Sequence, residues 1–121
     1  MADPDAVAKQ FITYYYTTFD GGRQNLHPLY KPTSMLTFEG AQVAGADAII
    51  EKLVSLPLGS LRHNVSTQDV QPIENGLLIS VTGQLLAEGE SNPQFFTQTF
   101  LLKSDGPSYY VQNDIFRLVY A

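Results

Sequence analysis

After Gly59 the chain shows no helical periodicity. Four alternating runs, Leu61–Val70, Leu77–Ala87, Gln94–Lys103 and Ser108–Tyr120, follow one another with only a few turn-forming residues between them. Connections that short cannot carry parallel crossovers, so the runs are expected to form an antiparallel meander. The breaks have the right chemistry. Glu74-Asn75-Gly76 supplies an Asn-Gly pair that tolerates positive φ, Glu88–Pro93 is a loop, and Ser104-Asp105-Gly106-Pro107 makes a turn.

Helical signals are confined to the first half. Asp3 is placed to cap a helix whose first residue is Pro4, and Asp5 suits the positive end of its dipole. Val7, Phe11, Tyr15 and Phe19, flanked by Ala8 and Ile12, give one wide apolar stripe that Gly21-Gly22 terminates. A short helical turn over Arg23–Leu29, a strand over Met35–Glu39 turning at Gly40, and its partner Gln42–Ala44 follow. A second helix runs from Ala46 to Leu56, with Ile49, Ile50, Leu53, Val54 and Leu56 as its buried face and Pro57 as its stop. Helices first and a long meander afterwards specify an α+β fold, with helices packed on one face of a curved sheet.

That sheet is apolar on both sides. In the last strand Tyr110, Gln112, Asp114, Phe116 and Leu118 share one face, while Tyr109, Val111, Asn113, Ile115, Arg117 and Val119 share the other. Ile79 and Val81 likewise oppose Leu78 and Leu86. Two helices cover only one face, so the other is expected to be buried against a second copy in a symmetric homodimer. The 121 residues are expected to form one domain, 1–121, and a 44% hydrophobic, 16% charged composition excludes a disordered chain.

Charge and composition narrow the function. Seven Lys and Arg against twelve Asp and Glu leave a net charge of −5, which repels phosphate backbones and suits a basic protein partner rather than nucleic acid. The absence of cysteine excludes disulfides, thiol nucleophiles and cysteine-ligated zinc. The acidic start lacks the features of a signal peptide, and no apolar run is long enough to span a membrane. The sequon Asn64-Val65-Ser66 is therefore read as accidental. No nucleophile elbow, phosphate loop, dinucleotide fingerprint or metal-ligand spacing is present, so no cofactor and no metal are expected.

Two sets of residues could carry function. His63, with Asp69 or Asp114 as partner, could do acid–base work inside a curved sheet, or be a core histidine satisfied by a carboxylate or carbonyl. His27, before Pro28, has no evident partner. Glu39, Glu88, Glu90 and Asp20 all sit at element ends, where they could fringe an apolar mouth and steer a cationic partner, or simply be solvated. Phe38 beside Glu39 could be edge filling or an anchor for an aromatic of a peptide.

Several blocks together carry a family resemblance. Ser34–Gly40, Ile50–Pro57, His63–Asp69 followed by Gln71-Pro72, and Ser108–Leu118 closely resemble the nuclear transport factor 2 family. Asp3–Lys9 and Tyr14–Asp20 look most like its plant members. The resemblance implies a cone-shaped α+β fold with a hydrophobic cavity, a homodimer through the sheet and no catalytic residue. It implies carriage of the GDP-bound GTPase Ran from cytoplasm to nucleus, through the pore, by contact with Phe-x-Phe-Gly nucleoporins. Residue by residue, it assigns GTPase binding to Glu39, Glu88, Glu90, Phe116 and His63, and nucleoporin binding to Phe38 and Asp20. Isomerase- and dehydratase-like proteins of the same cone fold, and dimerisation modules, are the alternatives that it leaves. The chain departs from the pattern with Phe38 where tryptophan is common, glutamates at 88 and 90, Leu58 in place of phenylalanine, and Gly21-Gly22 after Asp20.

Overall fold

The computed structural model of the chain describes residues 3–57 and 59–120, which leaves the departure at Leu58 outside the described residues. Helix α1 spans Pro4–Gly21, and its start follows from the predicted cap: the Asp3 carboxylate accepts from the Asp5 N–H at 3.3 Å. Its buried stripe is Ala8, Ile12, Tyr15, Tyr16 and Phe19. Val7 and Phe11 are only half-buried against the core, and Tyr16 joins the stripe because its hydroxyl finds a partner inside.

A 3₁₀ turn, Arg23–Leu29, leads into strands β1 (Tyr30–Phe38) and β2 (Ala41–Ala44). Phe38 pairs with Ala41, so the hairpin turn is Glu39-Gly40, with φ of 51° and 89°. Two successive positive φ values match the twist of the flanking strands. Helix α2 spans Ala46–Val54 and buries Ala46, Ile49 and Leu53. Strands β3 (Leu61–Ile73), β4 (Gly76–Ala87), β5 (Gln94–Asp105) and β6 (Ser108–Val119) complete the chain.

The six strands form one sheet in the order β2-β1-β6-β5-β4-β3. The meander from β3 to β6 is antiparallel throughout, as its short turns require. The pairing of β1 with β6 is parallel, so the sheet is mixed rather than wholly antiparallel. Turn chemistry dictates only pairs adjacent in sequence, and this pair joins the two halves of the chain.

Three details differ from the sequence expectation. Ile73 pairs with Gly76, so the two turn residues are Glu74 and Asn75; Asn75 takes the positive φ of 60°. Gly76 is already in the ladder, where a Cβ would stand 1.9 Å from the Leu102 carbonyl oxygen, so crowding rather than the turn requires it. Second, the register between β5 and β6 shifts at Leu101/Leu102, which leaves Gln112 unpaired opposite them. Strict alternation puts Val111 and Asp114 on opposite faces; the bulge brings both inward, and both are buried. Third, β3 bulges between Val65 and Thr67, which turns Asp69 away from the face of His63 and into solvent.

The core lies between the helices and the inner face of the sheet, built around Tyr15, Phe96, Phe100, Ile49 and Leu53. The outer face carries Met35, Phe95, Ile115 and Val119, each roughly half-exposed. Ladder pairs Thr99↔Ile115, Thr97↔Arg117 and Leu78↔Leu101 fill the space between them.

Candidate functional site

At one end of the core the packing leaves an apolar cavity of about 180 Å³. Its walls come from α1 (Tyr15, Phe19), α2 and its exit (Leu53, Leu56, Pro57) and the sheet (Leu36, Leu61, Leu85, Phe116). Phe38, Gln94 and Leu118 stand at its edge. A hollow of about 150 Å³ lined by apolar side chains is known to hold a benzene ring, so this one has room for a single aromatic ring.

Aromatic rings frame it. Phe38 and Phe116, paired in register across β1 and β6, stack with centroids 4.8 Å apart and planes 4° from parallel. Phe96 stacks on the other side of Phe116 at 5.5 Å. The His63 imidazole lies 4.5 Å from Tyr16 in a stacked arrangement and meets Phe19 and Phe96 edge-on.

The floor is a closed polar cluster. Asp114 is 1% exposed, and no cation among the described residues pairs with it. Its Oδ2 accepts from the Tyr30 hydroxyl at 2.8 Å and lies 3.3 Å from that of Tyr15; its Oδ1 accepts from Gln98 Nε2 at 2.8 Å. The two tyrosine hydroxyls are 2.7 Å apart, and Tyr16 donates to Gln98 Oε1 at 2.7 Å. Burial pushes the Asp114 carboxyl up to about 6, and the hydrogen bonds from Gln98, Tyr30 and Tyr15 only partly oppose it. Burial, and then the charge of Asp114, raises both Tyr15 and Tyr30, so their hydroxyls stay protonated as donors.

His63 takes its carboxylate from an unexpected place. Asp20, in the last turn of α1, lies 2.6 Å from its Nδ1 and also accepts its backbone N–H at 2.9 Å. The partner is therefore neither Asp69, which the β3 bulge exposes, nor Asp114, which the tyrosines occupy. His27 also has a partner, Asp47 in the first turn of α2, at 2.7 Å.

The wall segment after α2 is held by Arg23. Its guanidinium donates to the carbonyls of Leu53 at 3.0 Å and Leu56 at 3.2 Å, and to that of Gly59, while lying 5.4 Å over the Phe19 ring. Leu53 lies in the last turn of α2 and Leu56 and Gly59 follow the helix, so the cation ties the helix end to the chain that leaves it and fixes the segment that carries Leu56 and Pro57.

The family model for the nuclear transport factor 2 domain matches residues 7–118. The chain belongs to the nuclear transport factor 2 family. It is 54% identical to the nuclear transport factor 2 of Emericella nidulans, over 99% of this chain and 98% of that protein. It is 50% identical to that of Saccharomyces cerevisiae, over 98% and 97%. The solved structure of nuclear transport factor 2 from Cryptosporidium parvum superposes with a TM-score of 0.91 at 36% identity, covering 96% of this chain and 94% of that one. The α+β fold with helices on a curved sheet is thus that of the nuclear transport factor 2 family.

The fold gathers most of the residues singled out from the sequence. Phe38, His63 and Phe116 all line the cavity. Glu39 adjoins it in the β1–β2 turn, where its Oε1 accepts the Leu118 N–H at 2.5 Å. Glu88 and Glu90 are exposed in the loop after β4, beside a second depression that also touches Asp20 and Leu61. Asp20 is not brought to Phe38: it lies behind His63, with both carboxylate oxygens committed there. The sequence reading missed Arg23, Tyr30 and Gln98. Arg23 acts on carbonyls, which leave no side-chain signal, and Gln98 reads as a polar residue on a strand that could face either way.

Proposed function

We propose that this chain is a non-catalytic carrier that moves the GDP-bound GTPase Ran from cytoplasm to nucleus. The observation that carries this is the ring-sized apolar cavity beside Glu39, with Glu88 and Glu90 on a neighbouring loop. One aromatic side chain inserted there contributes roughly 1.5–3 kcal/mol by area. Exposed carboxylates add little affinity each, but they orient a basic surface and speed encounter. A net charge of −5 acts in the same direction at long range.

Phe38 is the proposed contact for Phe-x-Phe-Gly nucleoporin repeats at the nuclear envelope; Asp20, whose carboxylate is committed to His63, is left out of that contact. Stacking on Phe116 keeps the Phe38 ring in place at the cavity edge. The exposed Met35, Phe95, Ile115 and Val119 support a homodimer through the outer sheet face. Two repeat-binding sites per dimer then raise avidity while each contact stays weak enough to release.

The test is a pull-down with Ran loaded with GDP or GTP. Selective capture of the GDP form is expected; equal capture of both forms, or of neither, removes the carrier reading.

A further inference from the structure

Most polar side chains in the cavity wall have spent their hydrogen-bonding capacity on one another. Asp114 receives three donors, and Gln98 and Tyr15 belong to the same closed cluster. His63 is different. Its side chain is 2% exposed, its Nδ1 is engaged by Asp20, and its Nε2 has no partner among the described residues. No buried, sealed-off nitrogen or oxygen is left without a partner among those residues, so Nε2 keeps access to open space.

The direction of that space follows from the two sides of the ring. Asp20 does not line the cavity, whereas His63 does. His63 also lines a surface depression between α1 and β3, and Asp20 lies on that side with Nδ1 turned to it, which leaves the opposite edge of the imidazole, with Nε2, for the hollow. In the tautomer that donates from Nδ1 to the carboxylate at 2.6 Å, Nε2 presents a lone pair. Asp20 also grips the His63 backbone N–H, which fixes the ring's orientation as well as its tautomer. An acidic residue at a helix C-terminus is disfavoured by the macrodipole, and the two hydrogen bonds to His63 offset that cost at Asp20.

We propose that the cavity is also a binding site for a free one-ring phenol, whose hydroxyl donates to His63 Nε2 while its ring fills the apolar hollow. The volume of about 180 Å³ admits one ring and little more. A phenyl group alone leaves this buried acceptor unpaired, so the wall favours a ring that carries a donor. The inference concerns the cavity alone and does not depend on which protein docks at its mouth.

The experiment compares phenol with toluene, which has the same shape and no donor, by NMR titration of the full chain. In His63→Phe the ratio of phenol to toluene affinity is expected to fall about tenfold, the value of one hydrogen bond. Because that variant leaves Asp20 without its partner, a second measurement uses the unmodified protein. The ¹⁵N resonance of His63 Nε2 is expected to move with phenol and to respond far less to toluene. An unchanged ratio in His63→Phe overturns the proposal, and so does an Nε2 signal that ignores phenol or responds instead to an acceptor such as acetophenone. If toluene binds and phenol does not, the acceptor role fails while ring docking at the cavity survives. If neither ring enters, docking of a partner's aromatic there falls as well.

Discussion

Asp114 should make the protein less stable as the medium becomes more alkaline, opposite to the usual behaviour of a structural carboxylate. The buried carboxyl titrates at about 6, against 3.8 for the unperturbed group. Between those values the folded chain holds a proton that the unfolded chain has released, so unfolding stability falls as pH rises through this window. The shift is worth about 3 kcal/mol in full, of which somewhat over 2 kcal/mol falls between pH 4 and pH 7. Other carboxylates titrate in the same range, so the comparison is with Asp114→Asn, which keeps the shape and cannot ionise. Urea unfolding of both proteins at pH 4, 5, 6 and 7 isolates the difference. The wild type should lose about 2 kcal/mol relative to the variant over that range. A difference that stays flat would show that the tyrosine and glutamine donors solvate the anion as well as water does.

Glu39→Lys should weaken binding of Ran-GDP about tenfold or more while sedimentation still shows the same assembly, since Glu39 lies in the β1–β2 turn and not on the outer sheet face; unchanged binding removes Glu39 from the interface. Ile115→Asp places a charge at the centre of the outer face and should convert the proposed dimer to a monomer in sedimentation equilibrium, with the circular dichroism of the helices unchanged. Arg23→Met removes donors to three carbonyls and should cost about 2 kcal/mol in unfolding stability. The same change should speed amide exchange in the exit of α2; equal exchange in both proteins means that the guanidinium does not hold that segment.

The parts of the fold that were legible in the sequence are those set by local chemistry. Asp3-Pro4 marks the start of α1, and Gly40 and Asn75 mark hairpins, because caps and turns are decided within a few residues. The parallel pairing of β1 with β6 and the two bulges are decided by long-range packing. That is why alternation assigned Val111 and Asp69 to the wrong faces. At the site, the family resemblance marked His63 and Phe116 for GTPase binding and Phe38 for nucleoporin contact, while nothing in the sequence marked Asp20 as the residue that orients His63. Asp20 and His63 lie 43 positions apart on a helix end and a strand, and no spacing rule connects them.

The sheet's two borders, β2 and β3, are both poor templates for another chain. β2 is four residues long, and β3 combines a bulge at Val65/Thr67 with the exposed Arg62, Asp69 and Pro72. Neither border presents the long flat ribbon of free backbone groups on which fibrils grow. Damage to the outer face, where the proposed dimer forms, should therefore yield single subunits rather than strand-to-strand polymers.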